Sequence, residues 1–280
     1  MSPGRLLLSR LMRRRLAVFS LVFLAAIIVI ALLAPWIVPY APNRMDLVHR
    51  LQPPSLMHWF GTDDFGRDVL SRVIYGSRVS LAVGALVVVL STVLGSVIGI
   101  LAGYIRWLDA ALMRLTDALM AFPDILLAIA LVAGVGASLY NVVLALGIVY
   151  TPRVARIVRG ATLVLRELQF VEAAEALGAS DLRIMAVHLL PNLVSALIVQ
   201  GTFIFGTAIL TEAALSFLGA GVPPTTPTWG NMIANAQQYM QQADWMILAP
   251  GAAIVLVVLS LQILGDGLRD ALDPKLQRLM

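Results

Sequence analysis

The chain has 280 residues, of which 60% are hydrophobic and 13% are charged, and its mean hydropathy is +0.89. A soluble domain carries about 25% charged residues, so this composition excludes a water-soluble globular fold and predicts an all-α membrane protein. The basic residues cluster beside apolar segments, where they face anionic lipid, and nucleic-acid binding is therefore not expected. The sequence has no cysteine, which excludes disulfides and cysteine-ligated zinc.

About six segments are long and apolar enough to cross a bilayer as helices. The uncharged run Ile125–Pro152 is interrupted by Gly134, Gly136, Ser138 and Asn141, which predicts two helices that meet at a short turn. The six predicted spans are Leu16–Val38, Val79–Ile105, 112–134, 139–159, Leu193–Phe217 and Met246–Gly265. The first span is expected to stay uncleaved, because its apolar part is too long for a signal peptide.

Basic residues predict the orientation, because cytoplasmic loops keep an excess of Lys and Arg. Of the 20 basic residues, 15 lie on the side of both termini, so both termini are expected in the cytoplasm. This topology divides the chain into a cytoplasmic tail, first span and start of a periplasmic loop (1–60), an external loop motif (61–75), a five-helix core (76–268) that contains a cytoplasmic loop (165–191), and a cytoplasmic tail (269–280).

Catalytic chemistry is not expected on this chain. A phosphate-binding loop needs a lysine followed by Ser or Thr, but the only lysine, Lys275, precedes Leu276, so any ATP must bind another chain. No metal site is expected either, since His49, His58 and His188 are far apart in sequence. Two alternatives to a transporter subunit stay open at this point, a membrane enzyme and a proton-coupled secondary transporter.

Asp124 and Glu212 are the acidic residues predicted inside the spans. Such residues are expensive in hydrocarbon and often carry a proton or substrate relay. The sequence favours a simpler interpretation, in which each lies near an interface, Asp124 just after Pro123 and Glu212 in the last third of span five.

Three glycines, Gly95, Gly99 and Gly103, are spaced by four along span two. This spacing puts bare backbone on one side of a helix and permits close approach of a second helix. We name these residues the glycine face and expect it to be a packing surface, within this chain or against a partner permease.

The sequence of the longest predicted cytoplasmic loop indicates two short helices. Gly178 occupies a position where a helix ends in the left-handed conformation, Ser180 can cap the second helix, and Pro191 is expected to stop it. At 100° per residue, the apolar side of the first helix contains Phe170, Ala173, Ala174 and Leu177, opposite two glutamates. Such a helix can lie on the membrane, pack under the bundle, or dock into a groove of a soluble partner.

The pattern Glu172-Ala173-Ala174, three residues, Gly178, nine residues and His188-Leu-Leu-Pro191 resembles the EAA loop of ABC importer permeases. The resemblance implies that this loop, between spans four and five, forms coupling helices that sit in a cleft of an ATPase subunit. His188 departs from the pattern, which usually has Ile there. The implied coupling residues are Glu172, Ala173, Ala174, Leu177, Gly178 and Pro191.

Three further stretches, Gly61–Asp68, Glu212–Gly219 and Leu264–Lys275, resemble the C-type permease subunit of the dipeptide, oligopeptide and nickel importer subfamily. The resemblance implies a multi-pass protein of the bacterial cytoplasmic (inner) membrane that works by alternating access. The implied partners are a second, different permease, two ATPases that bind ATP and magnesium, and an extracytoplasmic solute-binding protein. This chain itself is expected to bind no cofactor.

Di- or oligopeptides are the favoured substrates, because nickel ligation calls for thiolates or clustered imidazoles, which the sequence lacks. Nickel or another small solute is the alternative. We also hypothesise that five residues form an external surface that meets the binding protein or gates the path. They are Asp63, Asp64, Arg67, Asp68 and Trp229.

Overall fold

The computed structural model describes residues 14–272, and that part of the chain is a bundle of α-helices without a β-strand. The helices are α1 (Arg15–Ile37), α2 (Val69–Tyr104), α3 (Arg106–Met120), α4 (Asp124–Val135), α5 (Leu139–Leu165), α6 (Gln169–Ala176), α7 (Asp181–Phe217), α8 (Trp229–Ala236) and α9 (Trp245–Leu272). Single 3₁₀ turns occur at Leu47–His49 and Gln237–Tyr239. Most of the tail basic residues, Lys275 included, lie outside the described residues.

Five helices, α1, α2, α5, α7 and α9, are long and apolar enough to cross a membrane. The predicted single span 112–134 is wrong, because two helices, α3 and α4, occupy this region and meet at an angle of 93°. The break precedes Asp124 at Pro123, which has no backbone N–H and forces the preceding residue out of the helical conformation. The expected six spans are therefore five complete helices and one bent pair.

The first long helix of the core, α2, begins ten residues before the predicted span, at Val69. Asp68 caps it, since its Oδ2 accepts hydrogen bonds from the Ser71 N–H at 2.8 Å and the Ser71 hydroxyl at 2.6 Å. At 1.5 Å per residue, 36 residues extend roughly 54 Å, well beyond the ~30 Å hydrocarbon core. One unbroken helix therefore links the two ends of the bundle.

The glycine face packs within this chain, against α5, in the most extensive helix contact of the described residues. A Cβ on Gly95 would lie 2.5 Å from Val154 Cβ, and one on Gly99 would lie 2.6 Å from the Ala155 carbonyl oxygen. The prediction of a packing surface is confirmed, because only glycine lets the two backbones approach this closely.

The predicted turn between spans three and four is also confirmed. Gly136 ends α4 with a φ of 91°, and the Ser138 hydroxyl accepts a hydrogen bond from the Asn141 N–H at 3.1 Å. The Asn141 side chain donates to the carbonyl oxygens of Val135 and Gly136 at 3.0 and 2.9 Å. The polar residues in this apolar run therefore form hydrogen bonds with backbone N–H and carbonyl groups that have no partner inside the two helices.

Pro191 does not stop the second loop helix, contrary to the prediction. The helix α7 runs without a break from Asp181 to Phe217 and contains a π-helical segment, Ile184–Leu189, directly before the proline. There the Leu190 N–H bonds to the carbonyl of Met185, five residues earlier. This shifted hydrogen-bond pattern lets the chain accommodate a residue that has no N–H.

Ion pairs and hydrogen bonds assign the loops to two ends of the bundle. We name the end of the bundle that contains Arg14, Arg166 and Arg269 the arginine-rich end. There Arg14, in the segment before α1, pairs with Asp270 of α9 at 2.6 Å. At the opposite end, the loop after α1 contacts the loop after α7 through Asn43, whose side-chain amide donates to the Thr225 carbonyl. The α6 loop lies at the arginine-rich end, because Arg166 donates to the Gly103 carbonyl at 2.9 Å.

Candidate functional site

The α6 loop has the helix end that its sequence predicts. Gly178 adopts a φ of 80°, the left-handed conformation that side chains with a Cβ rarely take. The Gly178 N–H bonds to the Glu175 carbonyl at 2.9 Å, and the Ala179 N–H bonds to the Ala174 carbonyl at 3.0 Å. This pair of bonds is a Schellman motif, and it fixes the direction in which α7 leaves the loop.

The apolar side of α6 differs from the predicted one. Val171 and Ala174 face the bundle and are buried, whereas Phe170 and Ala173 are exposed and Leu177 is 88% exposed. The helix thus has one apolar contact with the bundle and a second apolar surface that nothing in the described chain covers. Exposed apolar surface of this kind is typical of protein or membrane contacts.

The last turn of α2 holds α6 from both sides. The Tyr104 hydroxyl lies 3.2 Å from Oε1 of Glu175, near the end of α6, and 3.1 Å from Oδ1 of Asp181, the first residue of α7. Before α6, the Arg166 guanidinium donates to the carbonyl of Gly103 at 2.9 Å. The phenol has one proton, so it donates to one carboxylate at a time and keeps both within reach. Sequence reasoning missed Tyr104, although it directly follows the glycine face.

The Ser180 side chain makes no capping hydrogen bond, although Ser180 occupies the predicted position before α7. Asp181 nevertheless lies in the first turn, where its negative charge is favoured by the helix dipole. His188, which departs from the EAA pattern, faces the aromatic ring of Phe170 with a centroid distance of 6.5 Å. The histidine at this position therefore makes a ring contact between α6 and the π-helical segment.

Asp124 lies at the bend between α3 and α4 and forms an ion pair with Arg153 of α5. Two further pairs, Arg156 with Asp117 and Arg159 with Asp109, join α5 to α3. All three aspartates are at least a quarter exposed at the side chain. The charge of Asp124 therefore joins the bent pair to the bundle, and the interpretation that Asp124 lies near an interface stays a prediction.

Glu212 is fully buried, five residues before α7 ends at Phe217, and the interpretation that it lies near an interface stays a prediction. Its Oε1 accepts hydrogen bonds from the hydroxyls of Ser216 at 2.8 Å and Thr228 at 3.1 Å, whereas its Oε2 has no hydrogen-bond partner. The Thr228 hydroxyl in turn caps α8 by accepting from the Asn231 N–H at 3.0 Å. Glu212 therefore attaches the short helix α8 to the interior of α7.

The predicted external residues form an interior network instead of a surface. Asp63, Arg67 and Asp68 are buried, and Asp63 Oδ2 lies 2.6 Å from Arg67 Nε and 3.6 Å from Arg72 Nε. His58 Nδ1 hydrogen-bonds to Asp68 Oδ1 at 2.8 Å. We name Asp63, Arg67, Asp68 and Arg72 the aspartate–arginine network. Each of these buried charges has at least one partner of opposite charge or one hydrogen bond, which offsets part of the cost of burial, although Nη2 of Arg72 has no hydrogen-bond partner.

Asp64 and Trp229 also differ from the expectation of an exposed surface. Burial, together with the neighbouring charge of Asp63, raises the pKa of the Asp64 carboxyl above its ordinary value. Trp229 is buried at the start of α8, where its indole N–H donates to the Val73 carbonyl at 3.0 Å. Its backbone N–H donates to the Ser80 hydroxyl at 3.2 Å. Trp229 therefore joins α8 to α2 and presents no side chain to a partner in this conformation.

Two family models match the sequence. Residues 95–278 match the model described as binding-protein-dependent transport system inner membrane component. Residues 2–54 match the model described as N-terminal TM domain of oligopeptide transport permease C. The first match alone covers more than half of the chain.

Several relatives are similar along almost the whole chain. A protein of Brucella suis biovar 1, provisionally named a peptide transport system permease, is 51% identical over 99% of this chain and 93% of its own length. The dipeptide transport system permease protein DppC of Alkalihalophilus pseudofirmus is 46% identical over 99% of this chain and 91% of its own. The glutathione transport system permease protein GsiD of Escherichia coli is 46% identical over 96% of this chain and 89% of its own length.

Solved structures share the fold. In the CY5 native crystal form of the inward-facing MetNI methionine ABC transporter, one chain matches with a TM-score of 0.60 and 21% identity, over 73% of this chain and 98% of that chain. The CY5 SeMet soak crystal form matches with a TM-score of 0.58 and 22% identity, over 72% of this chain and 97% of that chain. The present chain is therefore a multi-pass inner-membrane permease that belongs to the family of inner membrane components of binding-protein-dependent transport systems, in its oligopeptide permease C branch.

Proposed function

We propose that this chain is one of two different permeases in an ATP-driven peptide importer, and that its α6 loop receives the movement of a partner ATPase. The observation that carries the proposal is the position of α6. Its exposed apolar side, with Leu177 at the tip, lies at the arginine-rich end, and Tyr104 and Arg166 hold the loop against the last turn of α2.

ATP and magnesium bind the partner ATPases in this proposal. The sequence supports this division of labour, since its single lysine, Lys275, does not belong to a phosphate-binding loop. The role of this chain is mechanical, and it binds no cofactor. Its coupling residues are those of the EAA pattern, Glu172, Ala173, Ala174, Leu177, Gly178 and Pro191.

The arginine-rich end faces the cytoplasm in the proposed topology, with both termini on that side. The opposite end, which contains the aspartate–arginine network and α8, faces the extracytoplasmic binding protein. Because the network side chains are buried in this conformation, we assign them to the support of that surface and of a gate rather than to direct contact with the binding protein.

Peptides are the proposed substrates. The relatives named above are permeases for peptides, for a dipeptide and for glutathione, which is itself a small peptide. Nickel is less favoured because the described residues contain no group of three or more His, Cys, Asp or Glu side chains that could hold a metal ion. The choice between short and long peptides lies with the binding protein.

Alternating access requires that nucleotide and binding protein prefer different conformers, because a ligand with equal affinity for both shifts no equilibrium. In this chain α6 and the opposite end are joined by α2, which runs from its cap at Asp68 to Tyr104. We therefore assign Tyr104 as a positioning residue that makes α2 follow the movement of α6.

The test uses the complete transporter, purified with its native partners and reconstituted in liposomes. In the Tyr104→Phe variant the ring remains and the hydrogen bonds to Glu175 and Asp181 are lost. We expect ATP hydrolysis to continue while peptide uptake per ATP falls about fivefold, which corresponds to a coupling free energy of about 1 kcal/mol. Tyr140→Phe is the control, because Tyr140 is exposed and is not part of this contact. Equal uptake per ATP in wild type and Tyr104→Phe would contradict the role of Tyr104. If the chain is purified from its native membrane without any ATPase subunit, that result would contradict the proposal that it belongs to an importer.

A further inference from the structure

A second exposed apolar surface lies at the opposite end of the bundle, far from α6. Residues 55–60, which we name the apolar turn, read Ser-Leu-Met-His-Trp-Phe and contain no Asp, Glu, Lys or Arg. Leu56 is 96% exposed and Trp59 is 69% exposed, and Met57 between them is also exposed. With Phe60, which is 40% exposed, the six-residue loop exposes four large apolar side chains, too many for a loop that contacts only water.

The apolar turn is held rigidly, so its exposure does not result from a loose loop. The Ser55 N–H bonds to the His58 carbonyl at 2.8 Å, which closes the turn. His58 hydrogen-bonds to Asp68, the cap of α2, at 2.8 Å. The hydrogen bond from His58 to Asp68 therefore fixes the apolar turn against the start of α2.

Tyr40 places the apolar turn at the level where α1 ends. It follows the end of α1 by three residues, its hydroxyl donates to the Met57 carbonyl at 3.1 Å, and its ring packs on His58 with a centroid distance of 4.9 Å. The Tyr40 N–H also donates to the Ser71 hydroxyl at 3.1 Å, in the first turn of α2. The turn thus lies beside the ends of two helices that cross the membrane.

Large apolar side chains of α1 are exposed up to the end of the helix, and Tyr40 attaches the apolar turn to that end. This helix buries small residues such as Ala31 and Ala34 against the bundle and exposes large apolar ones along its other side. Trp36, in its last turn, is 79% exposed. A tryptophan at the end of a spanning helix is typical of the boundary between hydrocarbon and head groups, and Trp59 is a second exposed tryptophan, in the turn that Tyr40 attaches to this helix end.

We propose that the apolar turn inserts into the interfacial region of the bilayer and that its partner is the lipid at the boundary between head groups and acyl chains. Leu56 and Trp59 enter the boundary, while the backbone of the turn stays attached to Tyr40 and Asp68. The membrane then holds the loop that contains the aspartate–arginine network in place. This inference does not depend on the role of α6, because it rests on α1 and the loop that follows it.

A protein surface, either the second permease or the binding protein, is the competing occupant. Two observations favour lipid. The apolar turn offers no charged group for a specific protein contact, and Tyr40 attaches it to the end of α1, a helix whose large apolar side chains are exposed.

The natural absence of cysteine allows a direct test. A Leu56→Cys variant is labelled with a polarity-sensitive NBD fluorophore in the assembled transporter, which is then placed in lipid nanodiscs, and the unsubstituted transporter serves as the labelling blank. We expect blue-shifted emission that spin-labelled lipids with a shallow nitroxide quench more strongly than lipids with a deep one. A Gln241→Cys variant is the matched control, because Gln241 is an exposed polar residue in another loop of the same end.

Each other outcome overturns the proposal. Emission at the wavelength of the Gln241→Cys label would mean that the apolar turn lies in water. Blue-shifted emission without quenching by either lipid would mean that a protein chain covers the turn. The double variant Leu56→Ser with Trp59→Ser gives an independent measurement, and we expect it to lower the Tm in nanodiscs but not in detergent solution. An equal effect in both media would show that the two side chains contribute only to folding.

Discussion

Gly178 gives the α6 loop its shape through one backbone angle. Its φ of 80° is the feature that a substitution would disturb, because a Cβ at this position would meet no atom within 4 Å. The cost of a side chain is therefore conformational and not steric, on the order of 1–2 kcal/mol for a residue in the left-handed region. A substitution at Gly178 therefore changes the direction of the loop without creating a steric clash.

We expect the Gly178→Val variant to insert normally and to lose about five- to thirtyfold in ATP-driven uptake, since the strain amounts to roughly 1–2 kcal/mol and 1.4 kcal/mol is tenfold. Gly178→Asn should retain most uptake, because asparagine tolerates the left-handed conformation. Gly160→Val is the matched control, since a Cβ on Gly160 also meets no atom within 4 Å and its backbone angle is ordinary. Normal uptake by Gly178→Val in liposomes would contradict the coupling role of the loop.

Asp64, in the loop before α2, has a carboxylate that is only partly satisfied. Its Oδ1 is buried without a hydrogen-bond partner, and Arg67 Nη2 lies 3.6 Å away. Burial raises its pKa in the folded state, so the folded chain holds the proton more tightly than the unfolded chain does. The free energy of unfolding that Asp64 contributes is therefore fully present at low pH and is lost as the pH rises through its folded pKa.

The Asp64→Asn variant removes this pH-dependent loss. We expect its Tm to exceed that of the wild type at pH 8, by about 2 °C for about 1 kcal/mol, and the difference to shrink as the pH falls towards the ordinary pKa of an aspartate, ~3.9. Thermal unfolding of the purified transporter between pH 8 and pH 4.5 measures this. A difference that grows as the pH falls would contradict the assignment.

At the scale of elements, the contact between α2 and α5 determines how tightly the bundle packs. The glycine face removes every side chain from one side of α2, and branched residues of α5, among them Val154, Val158 and Thr162, fill the space. Close packing of this kind tolerates little added volume, because each extra methyl group must move a backbone.

Gly99→Ala is therefore expected to destabilise the transporter by about 1–3 kcal/mol, as overpacked cores are. Its new Cβ would lie 2.6 Å from the Ala155 carbonyl oxygen and from Val158 Cβ. Gly134→Ala, at a helical glycine with no atom within 4 Å of the new Cβ, should leave stability unchanged or raise it. Thermal unfolding in nanodiscs compares the two, and equal stability of both variants would mean that α5 can move away from α2.

Proline shows which parts of these elements the sequence could and could not predict. Apolar length and the spacing of glycines are local signals, and they correctly indicated five of the six spanning helices, the glycine face and the turn at Gly136. The effect of proline depends on its surroundings. Pro123 ends a helix, whereas Pro191 follows a π-helical segment inside a continuous one. Hydrogen-bond shifts of this kind depend on tertiary packing, which no local pattern contains.

The candidate sites illustrate the same limit. The EAA pattern located the α6 loop, and Gly178 has the backbone angle that its position predicts. Which apolar side chains of α6 are buried could not be predicted, because helical periodicity identifies a side of a helix but not its neighbour. Likewise, the charged residues of the loop before α2 indicated an exposed surface, but Asp63, Arg67 and Asp68 are buried, and Asp63 pairs with both Arg67 and Arg72.

At the scale of the whole molecule, α2 connects two regions that have different chemistry. One end of this helix is capped by a member of the aspartate–arginine network, and its other end contacts the α6 loop through Tyr104. A straight helix transmits displacement along its length, because each turn is hydrogen-bonded to the next. The proposed mechanism therefore requires that these two ends lie on opposite sides of the membrane.

Cysteine labelling tests this orientation without altering the bundle. Leu177 at the tip of α6 and Gln241 in the loop before α9 are both exposed, and the natural chain has no cysteine. In spheroplasts, a membrane-impermeant maleimide should label the Gln241→Cys variant at once and the Leu177→Cys variant only after lysis. In lysed membranes, labelling of Leu177→Cys should fall when the partner ATPases are co-expressed, because they cover α6. Labelling of Leu177→Cys in intact spheroplasts would place the α6 loop outside the cell, where no ATPase can reach it.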